Sequence, residues 1–350
     1  MAAKMKMPAV VQFELRKGAV ELREMPVPEI GDDQVLMRVR GVGVCGSDVH
    51  QYHNTQSWSV TVPVILGHEF CGEIAALGKG VKAFKEGDRV TSETAAEIDL
   101  ESPLTRQGMY NLDPARRGFG YEIHGAMAEY VVVAARLLHR IPKNVPFEVA
   151  AMAEPCSVAF QATVVNGRVK PGDVVVVIGP GPIGLLCATL ARLSGAGHVI
   201  LAGISRDGPR MQTGLSAGAT RAVDTQKEDL KLVLSDLGDG LGADVVIDST
   251  GASGSLKNAL DWVRPAGHIT KVGWGPQPMD FSMDPLVKKA VTLQGSFSHT
   301  WPVWERVLAM LGTGQLDPRP YVTKVGKLDA WRDGFEGMHE GRYIKPVLTP

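Results

Sequence analysis

Asp173-Val174-Val175-Val176-Val177-Ile178-Gly179-Pro180-Gly181-Pro182-Ile183-Gly184 is the stretch on which the fold turns. Five consecutive β-branched residues, Val174 to Ile178, suit a strand buried on both faces, as in a parallel sheet. The six residues that follow fit G-x-G-x-x-G. Beyond them Ile183, Leu186, Cys187, Leu190 and Leu193 recur at helical spacing and predict one apolar helix face. Strand, glycine turn and helix in that order give the pattern its meaning as a dinucleotide site. The first glycine makes a tight turn, the second admits a pyrophosphate close to the backbone, and the third lets the helix pack on the strand. Unpaired N–H groups and the helix dipole favour the anion. Gly179, Gly181, Pro182, Ile183 and Gly184 are therefore cofactor-binding candidates, and Thr250, Val272 and Gly273 are added to them.

Working outward, strand-like runs recur at 198–204, 243–247, 267–272 and 291–295, with helical segments between some of them. That alternation predicts a doubly wound parallel sheet over residues 158–295. An acidic residue about 20 residues beyond the glycine turn ordinarily binds the adenosine ribose. Here Gly203 stands there, followed by Ile204, Ser205 and Arg206, so no carboxylate fills the slot. A 2′-phosphate could accept from Ser205 and pair with the Arg206 guanidinium. Gly203, Ser205 and Arg206 thus favour NADP over NAD.

The chain before residue 157 reads differently. Short apolar runs at 35–40, 70–75 and 128–133 are punctuated by Pro and Gly, as in Pro26-Val27-Pro28, and predict a β-rich domain. Tyr343-Ile344-Lys345-Pro346-Val347-Leu348 is a further strand candidate near the end. The net charge of −1 carries no basic stripe for nucleic acid and no polybasic run for anionic lipid. No signal peptide is read at the start, and the longest apolar stretch is broken by glycine and proline, against a membrane span. Four scattered cysteines make no disulfide framework in 350 residues, which points to a reducing cytoplasm.

Cys45-Gly46-Ser47-Asp48-Val49-His50, Gly67-His68-Glu69, Gly87-Asp88-Arg89-Val90, Ala153-Glu154-Pro155 and the 179–184 turn occur in one colinear series across nearly the whole chain. On these motifs the sequence resembles the zinc-containing medium-chain alcohol dehydrogenases, most closely their polyol (sorbitol-like) and threonine dehydrogenase branch. The resemblance implies an α/β protein. A GroES-like β-rich catalytic domain would take residues 1–157 and 296–350, and a Rossmann dinucleotide-binding domain residues 158–295, with the active site in the cleft between them. It carries catalytic zinc ligands onto Cys45, His68 and Glu154, with Glu69 as an alternate ligand or a contact to the metal's water. Thiolate, imidazole and carboxylate bind Zn²⁺ and leave a fourth position for the substrate oxygen. There the metal acts as a Lewis acid. By the same analogy Ser47 hands on the proton, and His50 is a candidate terminal base because imidazole titrates near neutrality. A homodimer or homotetramer is implied, with edge pairing near Val291 to Gly295 as its route.

Two departures from that pattern stand out. Many relatives carry a second, structural zinc on four cysteines spaced C-x₂-C-x₂-C-x₇-C. The matching positions here are Asp99, Ser102, Thr105 and Asp113, so no structural zinc is expected. Ion pairs between Asp99, Glu101, Asp113 and Arg106, Arg116, Arg117 are the expected substitute. Sorbitol-type relatives also have an Arg-Tyr pair where Ser296-Phe297 stand, which puts sorbitol itself in doubt as the substrate. Tyr52, Trp58, Phe119 and Trp274 are pocket candidates. Cys71 and Cys187 read as core thiols, Cys156 as a structural residue near Glu154 that would share its side in a strand, Asp48 as a turn or hydrogen-bonding residue, and His53, His124 and His299 are pocket or surface candidates with no assignable role. The expected activity is interconversion of a secondary alcohol or polyol and its ketone. The alternatives are threonine-type amino-alcohol oxidation, a zinc-free quinone reductase, and a non-enzymatic cofactor-binding protein on the same fold.

Overall fold

A computed structural model describes residues 5–350. It forms two units, Met1–Glu154 with Thr300–Pro350, and Pro155–His299. The second therefore runs 155–299 where the sequence reading placed 158–295.

In the second unit six strands lie side by side and all parallel, in the order Arg221–Asp224, His198–Gly203, Val174–Ile178, Ala243–Asp248, Val263–Lys271, Thr292–Gly295. The valine run is an inner strand. Val175 faces Val199 on one side and Val245 on the other, and every residue from Val174 to Ile178 is buried. Each such side chain contributes about 1.5–3 kcal/mol relative to exposure. The glycine turn opens the helix Pro182–Leu193, with Gly181 as its N-cap and Pro182 in its first turn. A Cβ on Gly184 would stand 1.9 Å from the Gly179 carbonyl oxygen, so only glycine lets the helix start this close to the strand end.

That helix buries more than the predicted stripe. Leu185, Ala188 and Ala191 are buried along with Leu186, Cys187 and Leu190, whereas Leu193 is exposed. It packs on the strands His198–Gly203, Val174–Ile178 and Ala243–Asp248 and also against the helical segments 161–166 and 208–216, so neighbours on more than one side cover it where a stripe serves one.

In the first unit the strand Gln34–Gly43 is the organising element. It pairs antiparallel with Glu69–Leu77 on one side and with Tyr130–Ala134 and Lys345–Thr349 on the other. Its last residue, Gly43, faces both Glu69 and Val347. The chain ends that carry Cys45, Glu69 and Lys345 thus arrive together. A Cβ on Gly43 would come within 2.3 Å of Glu69 Oε2, so the glycine is what admits that carboxylate.

Two helices lie in the part of the chain read as mostly strands and turns. Gly46–His53 is one, and its eight mostly polar residues give no periodic apolar signal. Ala153–Phe160 is the other. Cys156, two residues from Glu154, is therefore turned to the far side of the helix instead of sharing its face. Among the described residues no helix is long and apolar enough to cross a membrane.

Candidate active site

Cys45 is the N-cap of the helix Gly46–His53, and Asp48 in its first turn accepts the Cys45 N–H at 2.9 Å. The other Asp48 oxygen accepts the Gly67 N–H at 3.2 Å. One buried carboxylate thus ties the loop of Cys45 to the loop of His68. The sulfur of Cys45, a ring nitrogen of His68 and a carboxylate oxygen of Glu69 all lie within 4.8 Å of one another. Glu154, at the start of the helix Ala153–Phe160, is buried and close enough to act electrostatically on His68 and Glu69, but it lies outside that 4.8 Å group.

The electrostatics around His68 are those of a cation site. Burial by itself would depress its pKa, yet the Cys45 sulfur, with Asp48 and Glu154, drives it up to about 10. Its Nδ1 is buried and has no hydrogen-bond partner among the described residues. Thiolate, imidazole and carboxylate form a donor set that suits Zn²⁺, so these residues fit the metal that the sequence implies.

Lys345 was not foreseen as part of this site. Its ammonium donates to both oxygens of Glu69 at 2.7 Å and to the Val44 carbonyl at 2.9 Å. Both partners are 1% exposed. Burial alone would lower the Lys345 pKa, but Glu69 and the neighbouring Cys45 raise it. The one available signal was a lysine inside an apolar strand run, since a buried lysine requires a partner.

Tyr121 was missed as well. Its hydroxyl donates to Ser47 Oγ at 2.9 Å and lies 3.4 Å from His68 Nε2. Burial, followed by the charges of Cys45 and Asp48, holds the phenol well above its ordinary pKa. His50 is on the exposed side of its helix, with Nδ1 2.8 Å from Thr55 Oγ1. Burial of part of the ring, helped by His339 and His53, lowers its pKa.

Of the pocket candidates, Tyr52 and Phe119 are core residues. Tyr52 packs edge-on against Trp331 and Phe335, and Phe119 does so against Phe70. Trp58 stands edge-on to Tyr121, and Trp274 is exposed with its ring 5.6 Å from that of Phe297. Cys71 and Cys187 are buried thiols whose pKa burial raises, the latter to about 12. His124 Nδ1 accepts the Ile65 N–H, the His53 ring lies tilted against that of His339, and His299 is buried.

The lobe without cysteines is organised around Asp113. Its carboxylate accepts from the N–H groups of Asp99 (2.6 Å) and Ala115 (3.0 Å) and from the hydroxyls of Thr105 (3.3 Å) and Ser102. The expected ion pairs are only partly present. Glu101 pairs with Arg106, but Arg117 pairs with Glu97, and Arg116 donates to Thr94. Asp99 and Asp113 spend their oxygens on hydrogen bonds within the lobe instead.

In the second unit the cofactor candidates gather at the carboxyl ends of the parallel strands, where open α/β sheets bind ligands. Gly179 and Thr250 are in contact distance across this edge, and the N–H groups of Val272 and Gly273 bond the Asp248 carbonyl. A Cβ on Gly203 would meet Met211 Sδ at 2.9 Å and Pro180 Cγ at 3.2 Å, so the turn leaves little room for a carboxylate there. The structure also changes the part given to Ser205. Its hydroxyl proton goes to Asp224 Oδ2 at 2.6 Å, a carboxylate supplied by the next strand. Arg206 is then the donor left in that turn for a phosphate.

Comparison with known proteins agrees in both halves of the chain. Residues 31–143 match the family model for the alcohol dehydrogenase GroES-like domain, and residues 182–313 that for zinc-binding dehydrogenase. The chain is 38% identical to a sorbitol dehydrogenase of Halalkalibacterium halodurans, covering 98% of this chain and 99% of that one. It is 35% identical to an L-threonine 3-dehydrogenase of Ruegeria pomeroyi, covering 93% and 94%. Among solved structures it is similar to a zinc-binding dehydrogenase from Sinorhizobium meliloti 1021 bound to NADP. The TM-score is 0.90 and the identity 28%, over 99% of this chain and 100% of that one.

Proposed function

Because the chain belongs to the zinc-containing medium-chain family of alcohol and polyol dehydrogenases, and so interconverts an alcohol and its carbonyl compound with a nicotinamide cofactor, we propose that a single zinc ion on Cys45, His68 and Glu154 serves that reaction. The observation that carries the assignment is the convergence of a thiol, an imidazole with an orphaned buried nitrogen, and two buried carboxylates. When bound, zinc supplies Lewis acidity to the substrate hydroxyl and the nicotinamide supplies the hydride acceptor.

The chain's own residues do the rest. Asp48 fixes the spacing of the Cys45 and His68 loops. Lys345 engages both oxygens of Glu69, which makes Glu154 the carboxylate that serves as third donor and Glu69 a charge-balanced neighbour. Ser47 accepts the proton leaving the substrate hydroxyl. His50, held below its ordinary pKa and exposed, is unprotonated at neutral pH and passes that proton to water.

The glycine turn at 179–184 takes the pyrophosphate. Arg206, close to Gly203 where no carboxylate projects and with Asp224 engaged by Ser205, takes the 2′-phosphate, so NADP is preferred to NAD. No second zinc is bound, because positions 99, 102, 105 and 113 offer oxygens already hydrogen-bonded within the lobe. The four residues of the edge strand Thr292–Gly295 are exposed throughout and suit pairing between copies in a cytoplasmic homo-oligomer. Residues 1–154 and 300–350 serve as the catalytic domain and 155–299 as the dinucleotide domain.

The test is a zinc count on the purified protein, with secondary alcohols, polyols and L-threonine assayed against NAD and NADP. One zinc per chain, higher kcat/KM with NADP, and alcohols or polyols ahead of threonine are expected. Full turnover by protein from which the metal has been removed would overturn the assignment.

A further inference from the structure

The hydroxyls of Ser47 and Tyr121 stand 2.9 Å apart. They come from unconnected elements, Ser47 from the helix that follows Cys45 and Tyr121 from the turn closed by the Phe119–Ile123 bridge. The phenol is held firmly. Trp58 stands edge-on to its ring at 6.1 Å, and the His68 ring lies against it at 5.2 Å. The Gly118 Cα is close enough that a Cβ there would meet the ring at 2.9 Å, and the Tyr121 carbonyl accepts the Thr61 N–H.

For packing alone a phenylalanine would serve. The hydroxyl instead reaches both the serine that receives the substrate proton and, at 3.4 Å, the imidazole assigned to the metal. A phenol has one donor and two acceptor sites. The bond to Ser47 uses the donor and leaves the oxygen's acceptor capacity for a substrate hydroxyl. Two adjacent hydroxyls of a gauche diol stand about a hydrogen-bond length apart, which is the spacing of the Ser47–Tyr121 pair.

We infer that Tyr121 is a specificity-determining residue: its hydroxyl, set beside that of Ser47, binds the second hydroxyl of a vicinal diol or polyol next to the carbon being oxidised. This rests on the assignment of Cys45, His68 and Glu154 to the metal and of Ser47 to the proton. A site built to hydrogen-bond a substrate hydroxyl rejects the analogue that lacks it, because its polar group is then left unpaired. Ser47 reads the reacting oxygen and Tyr121 its neighbour.

2,3-Butanediol and 2-butanol share a carbon skeleton and differ in that one hydroxyl, so the ratio of their kcat/KM values reports the contact directly. Wild-type zinc-loaded protein is expected to prefer the diol. Tyr121→Phe is expected to lower the diol-to-alcohol ratio by roughly ten- to a hundredfold, the span for one lost hydrogen bond to a buried partner. Binding of each alcohol to the protein with its reduced cofactor, followed by cofactor fluorescence without turnover, should show the same change in the ratio of Kd values. A wild-type ratio near one, or a ratio that Tyr121→Phe leaves unchanged, overturns the inference and leaves the metal assignment standing. Zinc-loaded wild type that oxidises neither compound nor any other alcohol overturns both.

Discussion

Two clusters in the first unit, around His68 and around Asp113, stand at the positions that the sequence resemblance aligned with metal sites, and they are built in opposite senses. Around His68 the protein gathers a thiol, negative charge that lifts the imidazole pKa to about 10, and a buried ring nitrogen without a hydrogen-bond partner among the described residues. Around Asp113 everything is satisfied, since two N–H groups and two hydroxyls converge on one carboxylate. The polarity of the hub is inverted between them. A metal hub is positive and its surroundings donate electron pairs. The Asp113 hub is negative and its surroundings donate protons. A lobe that only needs its strands held together can use either arrangement, but a site that must polarise a substrate can use only the first.

The contrast breaks most visibly at the thiol. Cys45→Ala is expected to abolish the zinc content measured by elemental analysis and to lower kcat/KM by about a thousandfold, in line with the several kcal/mol that a Lewis acid supplies. Next comes Lys345→Met, which leaves the Glu69 charge buried without its partner. Urea unfolding should show a loss of about 3–5 kcal/mol, and a loss below 1 kcal/mol would mean that water or metal already compensates the carboxylate.

Asp113→Asn tests the hydrogen-bonded hub, and its reach is local. Amide exchange across residues 99–115 should quicken by about tenfold while the sheet core is unchanged. The carboxylate pKa is depressed, first by the Ala115 N–H and further by Asp99, Thr105 and Ser102. Its contribution is therefore complete above the unfolded carboxyl value of about 4 and is lost as pH falls through the lower folded value. Wild-type lobe protection, corrected for intrinsic exchange, should hold at pH 7 and fall only in acid, and the asparagine variant should not show that acid step. The smallest effect concerns the exposed Glu101–Arg106 and Glu97–Arg117 pairs. Molar salt should change lobe stability by no more than about 1 kcal/mol.

The second unit was the more legible in sequence, and the reason is physical. A strand between two others must be apolar on both faces, so Val174 to Ile178 announce it, and the glycines after it have backbone reasons to be glycine. In the first unit Cys45, His68 and Glu154 were legible only as chemistry-bearing types within motifs. Lys345 and Tyr121 were not, because what makes them part of the site is pairing across 276 and 74 residues of sequence. The helix Gly46–His53 was missed because its identity lies in its cap, Cys45 with Asp48, and not in any apolar period. The ion pairs anticipated for the lobe were judged from proximity in sequence, whereas the aspartates found nearer donors in the backbone.

The bond from Lys345 to Glu69 also sets an order of events during synthesis. Cys45, His68 and Glu154 leave the ribosome early, while the strand Lys345–Thr349 that brings the countercharge is made long after them. A nascent chain halted short of that strand holds the donor residues with one carboxylate uncompensated. On the proposed zinc assignment, maturation of the metal centre is coupled to threading the strand Lys345–Thr349 beside Gly43, and zinc uptake by stalled chains of increasing length would show where that step falls.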